Sequence, residues 1–220
     1  MDTARLGLQD EGMSTSARTY GGRTSDERKD ERRRRLIDAA LAIWGDEGWA
    51  AVTMRRVCAD AGLIDRYFYE SFADRDELLV ATWDEVRSET IARILEVLGG
   101  LRGERPLVQL RAAIAAFVNA IDTDPPRARI LFGEHSGSAG LEARRRDAIR
   151  GFTKVFVEWA RPHLKPGADA TAFRMSTLLG IGGFVALVRA WRDGIFRADA
   201  ARVIEHATSD GEALAARYLS

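Results

Sequence analysis

A short stretch at residues 63–72, LIDRYFYESF, brings one arginine and two tyrosines together within four positions. The guanidinium of Arg66 can donate two parallel hydrogen bonds to the O6 and N7 atoms of a guanine. The hydroxyl groups of Tyr67 and Tyr69 can reach phosphates or base edges. If these side chains share one exposed surface, that surface is suited to contact DNA.

Helical geometry decides which of these side chains face outward. Phe68 and Phe72 form an i, i+4 apolar pair that belongs on the buried side of a short helix. A rotation of about 100° per residue then turns three other side chains outward, namely Arg66, Tyr67 and Glu70. Tyr69 falls at the flank, where contact with DNA and a place at the edge of the core are equally good interpretations.

The preceding residues predict a second short helix, which would hold the first at an angle. Thr53 occupies an N-cap position, and an apolar face follows it at helical spacing, at Met54, Val57, Cys58 and Ala61. Gly62 supplies the turn. Two short helices joined in this way, and braced by a preceding helix, form a helix-turn-helix, whose second helix enters the DNA major groove. An ordinary helical corner is the alternative.

The rest of the chain also predicts helices, and we expect an all-α protein. The first helix starts near Asp26 and ends at Gly48, while Asp74 and Glu77 form a capping box that opens a long fourth helix. Five further helices are expected near residues 105–122, 126–135, 141–164, 169–193 and 198–218. The pattern predicts a disordered leader at residues 1–25, a helix-turn-helix domain at 26–80 and a larger helical domain at 81–220.

Charge neither requires nor excludes a nucleic-acid partner. The chain holds 33 basic and 33 acidic residues, and its first 80 residues are net acidic. Residues 28–35 nevertheless hold six basic and two acidic side chains, a patch suited to neutralise phosphates. A solvated helix face is the alternative. Arg55 and Arg56 add to the basic side of the second helix.

The cysteine count and the hydropathy pattern bear on the compartment. Cys58 is the single cysteine and cannot form an intramolecular disulfide, and the N-terminus lacks a secretory signal pattern, so we expect a cytoplasmic protein. The longest uncharged apolar run, residues 178–188, holds 11 residues. A bilayer span needs about 20, so no membrane span is expected.

Residues 45–79 resemble the N-terminal DNA-binding domain of the tetracycline-repressor (TetR) family of bacterial regulators. The matching elements are Gly48-Trp49, Thr53, Val57-Cys58, Ala61-Gly62-Leu63, the Tyr69-to-Phe72 end of the recognition helix, and Arg75 to Leu78. The resemblance covers roughly residues 30–80. The remainder matches only in length and all-helical character.

The resemblance implies DNA contacts for particular residues. Thr53 would cap the second helix near a phosphate, Tyr69 would touch the DNA backbone, and Arg75 would bind a further phosphate at the start of the fourth helix. Positions 65–67 would read bases, so the candidates for DNA binding are Thr53, Arg55, Asp65, Arg66, Tyr67, Tyr69 and Arg75. Ile64 departs from the family, which usually has a small hydroxyl residue there, and Asp65 can cap the recognition helix instead. An arm holding Arg18 and Arg23 is a candidate for the minor groove.

The resemblance also implies an effector pocket and a dimer interface in the larger half. The pocket candidates are Trp83, Phe117, Asn119, Phe132, His135, Phe156 and Phe173. The last two helices of each subunit would form a four-helix dimer bundle, with contacts at Gly180, Gly183, Phe184, Leu187, Val203 and Ile204. Ordinary packing within one chain is the alternative for both sets.

Together these patterns predict a homodimeric transcriptional regulator, most simply a repressor that leaves a palindromic operator when a small apolar or amphipathic effector binds. No cofactor, metal or membrane partner is expected. An enzyme is disfavoured, because the three histidines lack metal-ligand spacing and HSGSAG does not satisfy G-x-S-x-G. The rival hypotheses are a small-molecule-binding protein whose DNA-binding domain has decayed and, with less support, an all-α enzyme.

Overall fold

A computed structural model describes residues 24–133 and 137–220 of the chain. The described residues form nine α-helices and two 3-10 turns, with one isolated β-bridge and no strand, so the all-α prediction is confirmed. The helices are α1 Ser25–Glu47, α2 Met54–Ala61, α3 Asp65–Tyr69, α4 Arg75–Gly99, α5 Pro106–Thr123, α6 Pro125–Phe132, α7 Ala139–Ala160, α8 Ala170–Arg192 and α9 Ala200–Tyr218.

Helix α1 begins with a capping box that the sequence analysis placed in the leader. The Thr24 hydroxyl accepts a hydrogen bond from the Glu27 backbone at 3.2 Å, and the Glu27 carboxylate accepts one from the Thr24 backbone at 2.6 Å. The predicted leader at residues 1–25 is therefore too long by two residues, because Thr24 and Ser25 belong to α1. Residues 1–23, including the predicted Arg18 and Arg23 arm, lie outside the described residues.

One continuous core joins the two predicted domains. Helices α1 to α4 surround fully buried side chains, among them Leu36, Trp44, Phe68, Phe72 and Leu78. The same core continues into α6 through Ile130 and Phe132, because α6 packs on α1 and α4. The predicted boundary at residue 80 thus falls inside α4, which contributes to both halves.

The C-terminal half is a bundle in which α5 packs on α9 and α7 packs on α8. Helix α8 is long and apolar enough to cross a membrane by length and composition alone, although the sequence analysis expected no such segment. The sequence analysis counted only the longest uncharged run, and that count was short because a few charged residues interrupt this otherwise apolar helix. Only 17% of its most apolar window is buried, so most of this apolar surface is left uncovered by the chain.

Candidate nucleic-acid interface and effector cavity

The helix-turn-helix forms as the sequence predicts. Gly62 adopts a left-handed conformation with φ of 62°, and the Leu63 backbone donates to the Cys58 carbonyl at 2.9 Å, which closes α2 and redirects the chain into α3. Phe68 and Phe72 are each only 1% exposed, which confirms the predicted buried side of α3. The cap on α2 is also confirmed, since the Thr53 hydroxyl accepts from the Arg56 backbone at 3.3 Å.

The outer face of α3 carries the side chains predicted to contact DNA. The Arg66 side chain is 79% exposed and Tyr69 is 61% exposed, whereas Tyr67 is half-buried. Tyr69 is therefore a surface residue, although its ring still touches Phe68 edge-on at 5.6 Å between centroids. We call the exposed surface of Ile64, Arg66 and Tyr69 the reading face.

The start of α3 differs from the prediction. Ile64 occupies the N-cap position and makes no side-chain cap, while Asp65 is the first helical residue. Asp65 is therefore not the cap, because it already lies inside the first turn, where its negative charge still suits the helix N-terminus. Ile64 is 62% exposed beside Arg66, a feature that the sequence analysis treated only as a departure from the family. An exposed isoleucine there offers apolar contact to a thymine methyl group.

On the outer face of α3, the Glu70 carboxylate holds the Arg66 side chain in an ion pair. This carboxylate accepts from Arg66 Nε at 3.0 Å and from Arg32 at 3.4 Å. The Arg32 guanidinium also lies over the Tyr67 ring, 4.5 Å from its centroid. This pair uses Arg66 Nε and leaves the two terminal nitrogens for a base edge, whereas Tyr67 is partly covered by Arg32.

The predicted basic patch at residues 28–35 mainly braces the helix-turn-helix. Arg33 donates to the Ser71 carbonyl at 3.0 Å and lies over the Phe72 ring at 4.2 Å. Arg35 donates to the Ala61 carbonyl at the end of α2. Together with Arg32, these side chains fasten α1 to α2 and α3, so the prediction of a patch free to neutralise phosphates is only partly supported.

Two neighbouring arginines of α2 differ in their freedom to bind phosphate. Arg56 forms a two-pronged ion pair with Glu47, and the hydrogen bond from Arg56 lowers the pKa of the Glu47 carboxyl. Arg55 is exposed and makes no hydrogen bond or ion pair with the described residues. Arg55 is consequently the better candidate for a phosphate contact.

Arg75 is engaged within the protein rather than presented to solvent. Its Nε donates to the Val52 carbonyl, its terminal nitrogen donates to the Trp49 carbonyl, and the guanidinium lies 5.0 Å from the centroid of the Trp49 ring. These contacts hold the start of α4 against the segment between α1 and α2. They assign Arg75 a positioning role that the resemblance alone did not indicate.

A cavity of about 540 Å³ lies in the C-terminal half between α5, α7, α8 and α9. Such a volume falls within the range of about 300–1,000 Å³ that is typical of small-molecule sites. Of the predicted pocket residues, Phe156 and Phe173 line this cavity. Its α5 and α9 walls were missed, although each shows a helical stripe in the sequence, at Leu107, Leu110 and Ile114 and at Ala207, Gly211 and Leu214.

The other predicted pocket residues lie elsewhere. Trp83 and Phe132 are buried in the main core, and Phe117 packs against Phe132 and Phe184 at 5.9 and 5.4 Å between ring centroids. Asn119 is exposed on α5, and His135 lies outside the described residues. Trp83, Phe117 and Phe132 therefore do not line this cavity, because they pack where α4 and α6 meet α5.

The predicted dimer residues lie around the cavity. Gly180, Gly183, Phe184 and Leu187 line it and both glycines are exposed, whereas Val203 is only 2% exposed and Ile204 is half-buried. The interface prediction was wrong for Val203, because a side chain already buried within one chain cannot contact another. The exposed large apolar residues of this half concentrate instead on α7 and α8, at Phe152, Val155, Met175, Leu178 and Leu179.

Helix α6 and the start of α7 connect this half to the helix-turn-helix. Arg129 of α6 donates to the carbonyls of Gly45 and Asp46, at 2.7 and 2.5 Å, at the end of α1. The hydroxyl of Ser138, which also caps α7, donates to the Asp76 carboxylate in α4 at 3.1 Å. A displacement of α6 would therefore also move the end of α1, the helix that braces the reading face.

Comparison with known proteins places this geometry in a family. Residues 36–82 match the family described as "Bacterial regulatory proteins, tetR family". The chain therefore carries a TetR-family DNA-binding domain. The matched residues run from the core of α1 through the helix-turn-helix into α4, so this N-terminal segment is the DNA-binding part of a transcriptional regulator.

Solved structures of TetR-like regulators share the whole fold at low sequence identity. A putative TetR-family transcriptional regulator from Rhodococcus sp. is 17% identical with a TM-score of 0.65, covering 84% of this chain and 98% of the other. SmeT, the repressor of the Stenotrophomonas maltophilia multidrug efflux pump SmeDEF, is 20% identical with a TM-score of 0.63, covering 86% and 90%. FadR from Bacillus subtilis, solved with stearoyl-CoA, is 16% identical with a TM-score of 0.61, covering 80% and 95%.

Within the described residues, no group of three or more histidine, cysteine, aspartate or glutamate side chains is placed to hold a metal ion. Cys58 is buried, and burial raises the pKa of its thiol, which keeps it in the unreactive protonated form.

Proposed function

We propose that this TetR-family protein is a cytoplasmic, homodimeric repressor that has no enzymatic activity and leaves a palindromic operator when a small molecule fills the C-terminal cavity. The observation that carries the proposal is the reading face, where Arg66 and Tyr69 project from a short helix held in place by two buried phenylalanines. Two of the similar solved structures also support the proposal: SmeT is a repressor, and FadR was solved with stearoyl-CoA.

We expect Arg66→Ala to weaken operator binding by about 1–3 kcal/mol and to relax the preference at one base pair, because Arg66 reads a base edge. Arg55→Ala is the matched control, since Arg55 is equally exposed but suited to phosphate; it should weaken binding to all sequences alike. The measurement is fluorescence anisotropy against the DNA upstream of the gene and a scrambled duplex, titrated in salt.

The same titration separates the proposal from its rival. Tight, salt-dependent binding that prefers the upstream DNA supports a DNA reader, whereas equal losses on both duplexes for Arg66→Ala would contradict base reading by Arg66. A salt slope near zero on both duplexes would favour a protein whose DNA-binding domain has decayed. One observation favours this second candidate, a protein whose DNA-binding domain has decayed: several arginines contact other groups of the protein itself. They are Arg32, Arg33, Arg35 and Arg75.

We propose that the switch signal passes from the cavity through α5 and α6 to α1. The cavity is lined by the first half of α5, as far as Ile114, and the helix continues to Asp124, which caps α6. Arg129 then fastens α6 to the end of α1. A ligand that fits the cavity better in one arrangement of α5 and α6 would bias the separation of the two reading faces. A coupling of about 1–3 kcal/mol is typical of such switches.

The uncovered apolar surface of α7 and α8 supports the homodimer. Val155, Met175 and Leu178 are 68%, 60% and 46% exposed, and an added Cβ at Gly182 would meet no atom within 4 Å. A second copy of the chain would cover this surface and would place two reading faces on successive half-sites, about 34–36 Å apart.

We expect Met175→Glu to convert the dimer into a monomer, because it places a charge inside the proposed interface. The control is Leu95→Glu, which alters a leucine that is 61% exposed on α4, away from this surface. Sedimentation equilibrium measures the mass of each variant. A dimer that persists in Met175→Glu and dissociates in Leu95→Glu would place the interface elsewhere.

A further inference from the structure

The polar groups of the cavity are distributed unevenly between its depth and its mouth. In the depth, the Thr177 hydroxyl donates to the Phe173 carbonyl at 2.9 Å, and Ser176 pairs with the Tyr218 hydroxyl at 3.0 Å. Each of these hydroxyl groups has a partner within the protein, and the Ser176–Tyr218 pair leaves one O–H donor open, so the depth is apolar apart from these few groups.

Among the described residues, Asp210 is the one carboxylate in the lining, and it lies at the mouth. Its Oδ2 is 3.8 Å from Nε2 of His206, one helical turn away on α9, and the two side chains are largely exposed, at 76% and 63%. No lysine or arginine among the described residues lines this cavity, although Arg197 and Arg202 line the adjoining depression that shares His206. Within the cavity itself, an anionic head group would therefore meet a carboxylate and no permanently charged cation.

The aromatic rings of the lining favour the same sign of ligand charge. Phe156 and Trp159 pack against each other at 5.3 Å between centroids, and both line the cavity together with Phe173 and Phe184. The face of an aromatic ring attracts a cation and repels an anion. The carboxylate therefore disfavours a negatively charged ligand, and a ring face that contacts the head group would do the same.

We propose that the effector is an amphiphile with an apolar body and a positively charged head, bound with its body in the depth of the cavity and its head near Asp210. This inference rests on the effector role proposed above and narrows it to one chemical class. It separates this chain from a regulator that would take an acyl anion, because such a ligand needs a cationic partner that the lining does not provide.

The test compares three ligands that share a ten-carbon chain, below their micellar concentrations: decyltrimethylammonium, decanol and decyl sulfate. Isothermal titration calorimetry with the full-length protein should show the cation binding about tenfold more tightly than the sulfate. Asp210→Asn should remove most of this preference while leaving the affinity for decanol unchanged. Because Asp210 is exposed, this variant should fold normally.

Several results would overturn the inference. These are equal affinity for the cation and the sulfate, tighter binding of the sulfate, no binding of any of the three, or an unchanged preference in Asp210→Asn. Operator anisotropy in the same samples tests the proposed function separately. If the cation binds tightly without releasing DNA, effector-controlled repression is refuted but the ligand class stands. If all three ligands release DNA alike, effector control stands but the preference for a cation is refuted.

Discussion

Arg75→Ala is expected to lower the free energy of unfolding by about 2–4 kcal/mol, because two backbone carbonyls lose hydrogen bonds from a charged donor. The Val52 and Trp49 carbonyls accept from this one guanidinium, which joins the start of α4 to the segment that leads into α2. Urea unfolding at a fixed protein concentration measures the loss. Operator binding should fall on every DNA sequence, since the whole helix-turn-helix loses a brace.

Arg75→Lys distinguishes positioning from direct phosphate contact. Lysine keeps the positive charge but lacks the planar fork that reaches both carbonyls, so most of the stability should still be lost. If Arg75 acted mainly as a phosphate ligand, the lysine variant would retain DNA affinity and the alanine variant would unfold like the unaltered protein. Arg55→Ala serves as the control, because that exposed arginine has no partner among the described residues.

The helix-turn-helix could be predicted from sequence because its determinants are local. The cap at Thr53, the left-handed turn at Gly62 and the i, i+4 pair Phe68 and Phe72 each lie within a few residues of the structure they specify. Rotation per residue then fixes which neighbouring side chains face solvent. The outward position of Arg66 follows from those facts, whereas the half-burial of Tyr67 under Arg32 and the exposure of Ile64 do not.

The roles of the arginines could not be predicted in the same way, because their partners are distant in the sequence. Arg33 and Arg35 are 38 and 26 residues from the carbonyls that they bind, and Arg75 is 23 and 26 residues from its own. A cluster of basic residues looks alike in sequence whether it faces phosphate or braces a fold. Only the tertiary arrangement separates the two.

The cavity was misplaced for a related reason. Large aromatic residues such as Trp83 and Phe132 indicated an apolar region, but the sequence does not tell whether side chains fill that region or leave a cavity. Here packing fills it, so these residues belong to the core. Helix α8 is apolar on more than one face, so its sequence did not distinguish the face toward the cavity, at Gly183 and Leu187, from the outward face at Met175 and Leu178. The sequence analysis expected Gly183 and Leu187 in the dimer interface and assigned no role to Met175 and Leu178.

Gly45→Ala is expected to destabilise the protein and to weaken communication between the cavity and the reading face. A Cβ at Gly45 would lie 2.8 Å from the Cβ of Pro126, closer than two such atoms approach, so α1 and α6 must separate. Overpacking of this kind costs about 1–3 kcal/mol. That exceeds the gain of about 0.5–1 kcal/mol from replacing a helical glycine with alanine. Urea unfolding should show the net loss.

Gly151→Ala is the matched control, because Gly151 also lies within a helix but an added Cβ there would meet no atom within 4 Å. It should gain stability from helix propensity alone, so the two variants should differ by about 1–3 kcal/mol. In Gly45→Ala, displacement of α6 also strains the hydrogen bonds from Arg129 to the end of α1, and an effector should then release the operator less completely than in Gly151→Ala. Equal stability and equal release in the two variants would show that the contact between α1 and α6 neither limits packing nor transmits the signal.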